Sequence, residues 1–152
     1  MSSHRLLVVA LSPVDEVALS KEVRAHAGGE AAEVHIVAPA PHTSRLQRLT
    51  GAVDEARAEA EDVAREAAEA VKGAASVETE VGDPNPLQAI EDALRAFPAD
   101  ELIIVTRPGS EADWVEEDRT QKTLERLGLP VTHLAVDRPE QGGATLGPRG
   151  QR

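Results

Sequence analysis

The chain has 152 residues, and its 16 Lys and Arg against 27 Asp and Glu give a formal net charge of −11, so phosphate backbones are repelled and nucleic acid is excluded as a partner. There is no Cys, and Phe97 and Trp114 are the only aromatic rings of the Phe, Tyr and Trp kind, which removes disulfide frameworks, thiol nucleophiles, Cys-based metal sites and stacking platforms for bases or a flavin. The apolar run Leu6 to Leu11 is too short for a signal core or a membrane span, and a cytoplasmic protein with one domain over 1–137 is expected.

Leu6-Leu7-Val8-Val9-Ala10-Leu11 is unbroken apolar sequence, the pattern of a strand covered on both faces of a parallel sheet, and Ser12-Pro13 ends it. Asp15 and Glu16 supply first-turn acids for a helix through Val17, Val23 and Ala27 that stops at Gly28-Gly29. Glu33 to Ala38 reads as the second strand, closed by Pro39 and Pro41.

Thr50 is suited to cap a long helix in which Val53, Ala56, Ala60, Val63, Ala67, Val71 and Ala74 share one side at helical spacing, with Lys72-Gly73 at its end. Its back carries Arg57, Glu61, Arg65 and Glu69, a stripe of alternating sign whose simplest reading is a solvated face. Ser76 to Val81 alternates polar and branched residues, as expected of a strand near a sheet edge. Beyond Gly82-Asp83, either Asp83 or Asn85 can cap a helix whose apolar stripe is Leu87, Ile90, Leu94 and Phe97.

Glu101 to Thr106 is a fourth, buried strand. Arg107 to Ser110 breaks it, and a single helix is predicted from there to Leu127-Gly128 before a fifth strand over Val131 to Val136. The Gly, Pro, Gln and Arg composition from Arg138 onward offers too little apolar surface to offset ordering, so 138–152 is expected to be a disordered tail. Alternating strands and helices predict a five-stranded parallel sheet doubly wound into a three-layer α/β/α sandwich.

Ligands in such sheets bind beyond the carboxyl ends of the strands, which selects Ser12, Ala38, Pro39, Gly82, Asp83 and the segment from Thr106 to Thr120 as candidate site residues. Arg45 and Arg107 are placed to meet an anion there. No P-loop, Gly-x-Gly-x2-Gly or Gly-x-Ser-x-Gly string is present, and the five histidines lack the spacing that puts two ligands on one metal. No catalytic or metal residue is therefore assigned; His35 and His133, inside strands, read as imidazoles satisfied by neighbours.

The order of elements, and above all Leu102 to Val136, resembles the universal stress protein family. The resemblance implies the adenine-nucleotide alpha-hydrolase-like fold and a phosphate loop of the form Gly-x2-Gly-x9-Gly-Ser/Thr, which in this sequence falls on Thr106, Gly109, Arg119 and Thr120. Two of its glycines are thus replaced. Where the family's nucleotide binders end strand one with Asp, this chain has Leu11, and Glu116-Glu117-Asp118 stands immediately before Arg119. Those acids read most simply as first-turn helix acids paired with Arg119.

By this resemblance the chain is expected to be a non-enzymatic stress-type or regulatory protein. Its degenerate pocket would hold ATP, another adenine nucleotide or a small anion weakly, and two copies would pair through Val131 to Val136. The strings at Ser44-Arg45-Leu46 and from Pro86 to Leu94 resemble a divergent actinobacterial branch of the family. Two rival expectations are an interaction module that recruits a basic protein through Glu61, Asp62, Glu66 and Glu69, and a slow nucleotide hydrolase. Trp114 is expected to pack over the sheet edge, with a lid or interface anchor as the alternative.

Overall fold

A computed structural model describes residues 4–13, 15–27, 32–40, 52–71, 73 and 76–135. In these the chain forms β1 (His4–Ala10), α1 (Glu16–Ala27), β2 (Ala32–Pro39), α2 (Ala52–Ala70), β3 (Ser76–Gly82), α3 (Pro86–Ala96), β4 (Glu101–Thr106), α4 (Ser110–Glu116), α5 (Asp118–Glu125) and β5 (Val131–Ala135). The expected caps at Thr50, Gly28-Gly29 and Lys72, the candidate Arg45, His42, Val136 and the tail from Arg138 lie outside the described residues.

The strands form one five-stranded sheet in the order β3-β2-β1-β4-β5, with every pairing parallel. Alternation within a strand sends Leu6, Val8 and Ala10 to one face and Leu7 and Val9 to the other, all at most 1% exposed, which is why β1 reads as continuous apolar sequence. On the first face lie α1 and α2, through Leu19, Val23, Ala60, Val63, Ala64 and Ala67. On the second lie α3, α4 and α5, through Ala89, Ile90, Ala93, Val115 and Leu124. The α/β/α sandwich follows directly from these two cores.

Small side chains let α2 sit close to the sheet, and its back is exposed at Arg57, Glu61, Arg65 and Glu69. In α1 the buried face is carried by Leu19 and Val23, while Val17 is 69% exposed, so Val17 does not belong to the apolar stripe. Asp15 caps this helix, its Oδ1 accepting from the N–H of Val17 at 3.0 Å.

The single helix expected after β4 is two helices. Glu117 is extended (φ −63°, ψ 143°) and closes α4 by donating its N–H to the Trp114 carbonyl at 3.2 Å, then opens α5 by accepting from Gln121 N at 2.9 Å. The Gln121 side-chain amide donates to the Val115 carbonyl at 2.6 Å, so the break leaves that acceptor satisfied. Among the described residues no helix is long and apolar enough to cross a membrane.

Candidate functional site

The sheet order reverses direction between β1 and β4, and the crevice at such a reversal opens beyond the strand carboxyl ends. A cavity of about 630 Å³ occupies this place. Its floor is Ala10, Leu11 and Ser12 from the end of β1 and Ala38, Pro39 and Ala40 from the end of β2. One wall is Glu59, Ala60 and Val63 of α2; the opposite side is Arg107, Ser110, Glu111 and Trp114, with Pro84 and Pro86 at the rim. Backbone bonds fix the floor: Leu11 N–H donates to Val105 O at 3.0 Å and Ala40 N–H to Gly82 O at 3.1 Å.

The polar centre of the cavity is Glu111, in the first turn of α4, where the helix dipole favours a carboxylate. Its Oε2 accepts from Ser12 Oγ at 2.5 Å, and its Oε1 accepts from the backbone N–H of Arg107 at 3.0 Å. The Arg107 guanidinium stands 3.8 Å from the same carboxylate. Ser12, 4% exposed, has therefore given its hydrogen to Glu111.

Of the candidates named from sequence, the cavity unites Leu11, Ser12, Ala38, Pro39 and Arg107. Ser110, Glu111 and Trp114 of the selected Thr106 to Thr120 segment join them, while Gly82, Asp83, Thr106, Gly109, Arg119 and Thr120 stand outside the lining. Gly82 ends β3 under α3, where a Cβ would come within 2.7 Å of both the Ala89 Cβ and the Val37 Cγ2, so close helix-on-sheet packing requires a glycine. Asp83 accepts from Asn85 N at 2.8 Å in a side-chain turn, and Asn85 is the helix cap, accepting from Leu87 N at 3.0 Å ahead of Pro86 in the first turn.

The phosphate-loop frame is dispersed. Thr106, 1% exposed, has its hydroxyl 2.9 Å from His133 Nε2, and His133 Nδ1 is 3.0 Å from Glu116 Oε2. Gly109 precedes α4 with φ 103° and ψ −140°, a conformation essentially reserved for glycine. Thr120 is buried at 2% exposure inside α5. Arg119 is exposed and, among the described residues, makes no ion pair with Glu116, Glu117 or Asp118. The expected pairing of Arg119 with these acids is not formed because Glu116 ends α4 facing His133 and Glu117 lies in the break.

Both strand histidines have partners, His35 Nε2 meeting Glu80 Oε2 at 2.5 Å while its ring stacks on Phe97 at 5.2 Å between centroids. Trp114 serves two ends at once, packing against the second core and lining the cavity. Glu59 lies outside the segments selected from sequence, and Glu111, inside the selected Thr106 to Thr120 stretch, is given no role of its own there. Glu111 carries a faint local signal, standing four residues after Arg107 and one after the break of β4, but nothing in the chain announces a partner 99 positions away at Ser12.

No family model matches the chain, and neither does any curated protein. Solved structures do. A universal stress protein in complex with cAMP matches with 19% identity and a TM-score of 0.57 over 90% of this chain and 100% of that one. The universal stress protein from Archaeoglobus fulgidus matches with 19% identity and a TM-score of 0.57 over 86% and 93% of the two chains. A member of that family from Burkholderia pseudomallei matches with 17% identity and a TM-score of 0.53 over 86% and 96%. The strand order, the two cores and these matches agree that the chain has the fold of universal stress proteins.

Proposed function

We propose that this chain is a cytoplasmic, non-enzymatic member of the universal stress type, of regulatory or stress-related role, that holds an adenine nucleotide weakly at the carboxyl ends of its strands. The observation that carries this reading is the cavity of about 630 Å³ at the β1/β4 reversal, the place where sheets of this class bind ligands. The cAMP complex of a protein with this fold supports the choice of ligand. The dispersal of Gly109, Arg119 and Thr120 away from the lining accounts for weak affinity toward phosphates.

Thermal unfolding with adenosine, AMP, cAMP and ATP at millimolar concentration tests it. A ligand at a hundred times its dissociation constant raises stability by about 2.7 kcal/mol. The shift should vanish in Ala40→Trp, which puts an indole into the cavity from a half-buried position at the end of β2. If none of the four shifts the transition of a well-folded sample, the reading is wrong.

Pairing of two copies through β5 belongs to the same proposal. β5 is an edge of the sheet, and Val131 to Leu134 are only half-buried in the single chain. Sedimentation should give a dimer, and a monomer at every concentration of the unmodified chain refutes the pairing.

A further inference from the structure

We propose that Glu111 makes this cavity select the neutral vicinal diol of a nucleoside over any phosphate-bearing form of the same ligand, an inference that rests on the nucleotide-type reading above. The carboxylate is held at both oxygens by donors of the protein, Ser12 Oγ at 2.5 Å and the Arg107 N–H at 3.0 Å. Each oxygen keeps a further lone pair, and a carboxylate at neutral pH accepts only. A ligand atom that meets it must therefore bring hydrogen.

Two of the neighbouring groups, Ser12 and Glu59, have the same polarity. Ser12 has committed its hydrogen to Glu111 and offers a ligand only lone pairs. Glu59 adds a second carboxylate to the lining from α2. Among the described residues Arg107 is the one cation in the lining, and its guanidinium already faces Glu111 at 3.8 Å. Two adjacent hydroxyls satisfy such acceptors with two O–H donors, as a bidentate partner does. A phosphate brings acceptors and negative charge to two carboxylates, which accept no hydrogen bond from it and repel its charge.

Gly109, Arg119 and Thr120 lie outside the lining, whereas Glu111 lies within it. Side-chain geometry therefore assigns the cavity to the nucleoside part of the ligand, with any phosphate directed to solvent.

Titration calorimetry of the full chain with adenosine, 2′,3′-dideoxyadenosine, AMP and ATP tests the assignment. Adenosine should bind at least about tenfold more tightly than either dideoxyadenosine or ATP, with AMP between, as expected for a unit charge near the ligand at moderate dielectric. In Glu111→Gln the ratio of adenosine to ATP affinity should fall by about tenfold or more. ATP binding as tightly as adenosine, or dideoxyadenosine as tightly as adenosine, overturns the inference on the unmodified protein alone, whatever the folding of the variant. An unchanged ratio in a folded Glu111→Gln does the same. Binding that favours ATP removes this inference and leaves the nucleotide reading standing; binding of none of the four removes both.

Discussion

His26, in the last turn of α1, places Nδ1 2.6 Å from Oε1 of Glu101, the first residue of β4. The other oxygen of Glu101 is 2.6 Å from His4 Nε2 at the start of β1, and His26 Nε2 is 3.0 Å from Glu22 Oε2 and 3.4 Å from the Thr132 hydroxyl. Asp100 stands 3.8 Å from His4 Nδ1. This cluster ties α1, β1 and β4 together at the end of the sheet opposite the cavity. A carboxylate at each nitrogen favours the imidazolium, the form of the His26 ring that donates at both.

A dependence of stability on pH follows from the two shifts. Burial opposes the His26 charge, but the hydrogen bonds and charges of Glu101 and Glu22 outweigh it and leave the imidazole above its ordinary value of 6.5. Burial likewise opposes ionisation of Glu101, and the bonds and charges of His4 and His26 outweigh it, leaving the carboxyl below its ordinary 4.5. A raised imidazole stabilises fully below 6.5 and loses that contribution as pH rises through its folded value; a lowered carboxyl stabilises above 4.5 and loses it as pH falls. The contribution should therefore be greatest between these values. Urea midpoints across pH 4 to 9 should fall on the alkaline side in the native chain, and the difference between it and His26→Gln should shrink as pH rises; a difference that stays constant would contradict the assignment.

Gly82 should not tolerate even a methyl group. Its Cβ would meet Ala89 Cβ and Val37 Cγ2 at 2.7 Å, and both belong to a tightly packed core that cannot yield cheaply. Gly82→Ala should cost about 1–3 kcal/mol by overpacking α3 on the sheet. Denaturant unfolding with an unchanged midpoint would show that α3 shifts without resistance.

Asn85→Ala should remove the bond to Leu87 N and lower stability by about 0.5–2 kcal/mol, the usual range for losing such a cap. Asn85→Asp keeps an acceptor at the same position and should retain most of that stability, so the pair separates a cap from a mere contact. Equal losses in both variants would mean that the amide group, rather than the cap, matters.

How much of this was legible in the chain depends on the range of the interaction. Leu6 to Leu11 and Glu101 to Thr106 read as strands because coverage on both faces removes polar residues from the sequence itself, and Pro86 behind Asn85 marks a helix start by local sterics. The split at Glu117 was not legible, since no Gly or Pro marks it and the Gln121 amide that satisfies Val115 acts only once the turn exists. Gly82 looked like a strand-end contact for a ligand, yet its reason is Ala89 across the interface. His26 with Glu101 and Ser12 with Glu111 pair residues 75 and 99 positions apart, and sequence spacing carries no trace of such partners. Fold was therefore readable from periodicity, while the polar centre of the site came only with topology.

Gly109 joins fold and site. It sits between Arg107 and Glu111 at φ 103° and ψ −140°, open to space on its Cβ side, so a substitution there meets no clash and the cost is purely that of the backbone. Gly109→Ala should therefore destabilise by about 1–3 kcal/mol, the range for a side chain forced into such a conformation. The loop can relieve that strain by turning the Arg107 N–H away from Glu111 Oε1, which now accepts from it at 3.0 Å. Loss of adenosine affinity should accompany the loss of stability in this variant, because the same turn orients the Glu111 carboxylate. A variant that melts earlier but binds adenosine unchanged would show that Ser12 alone suffices to hold Glu111 in place.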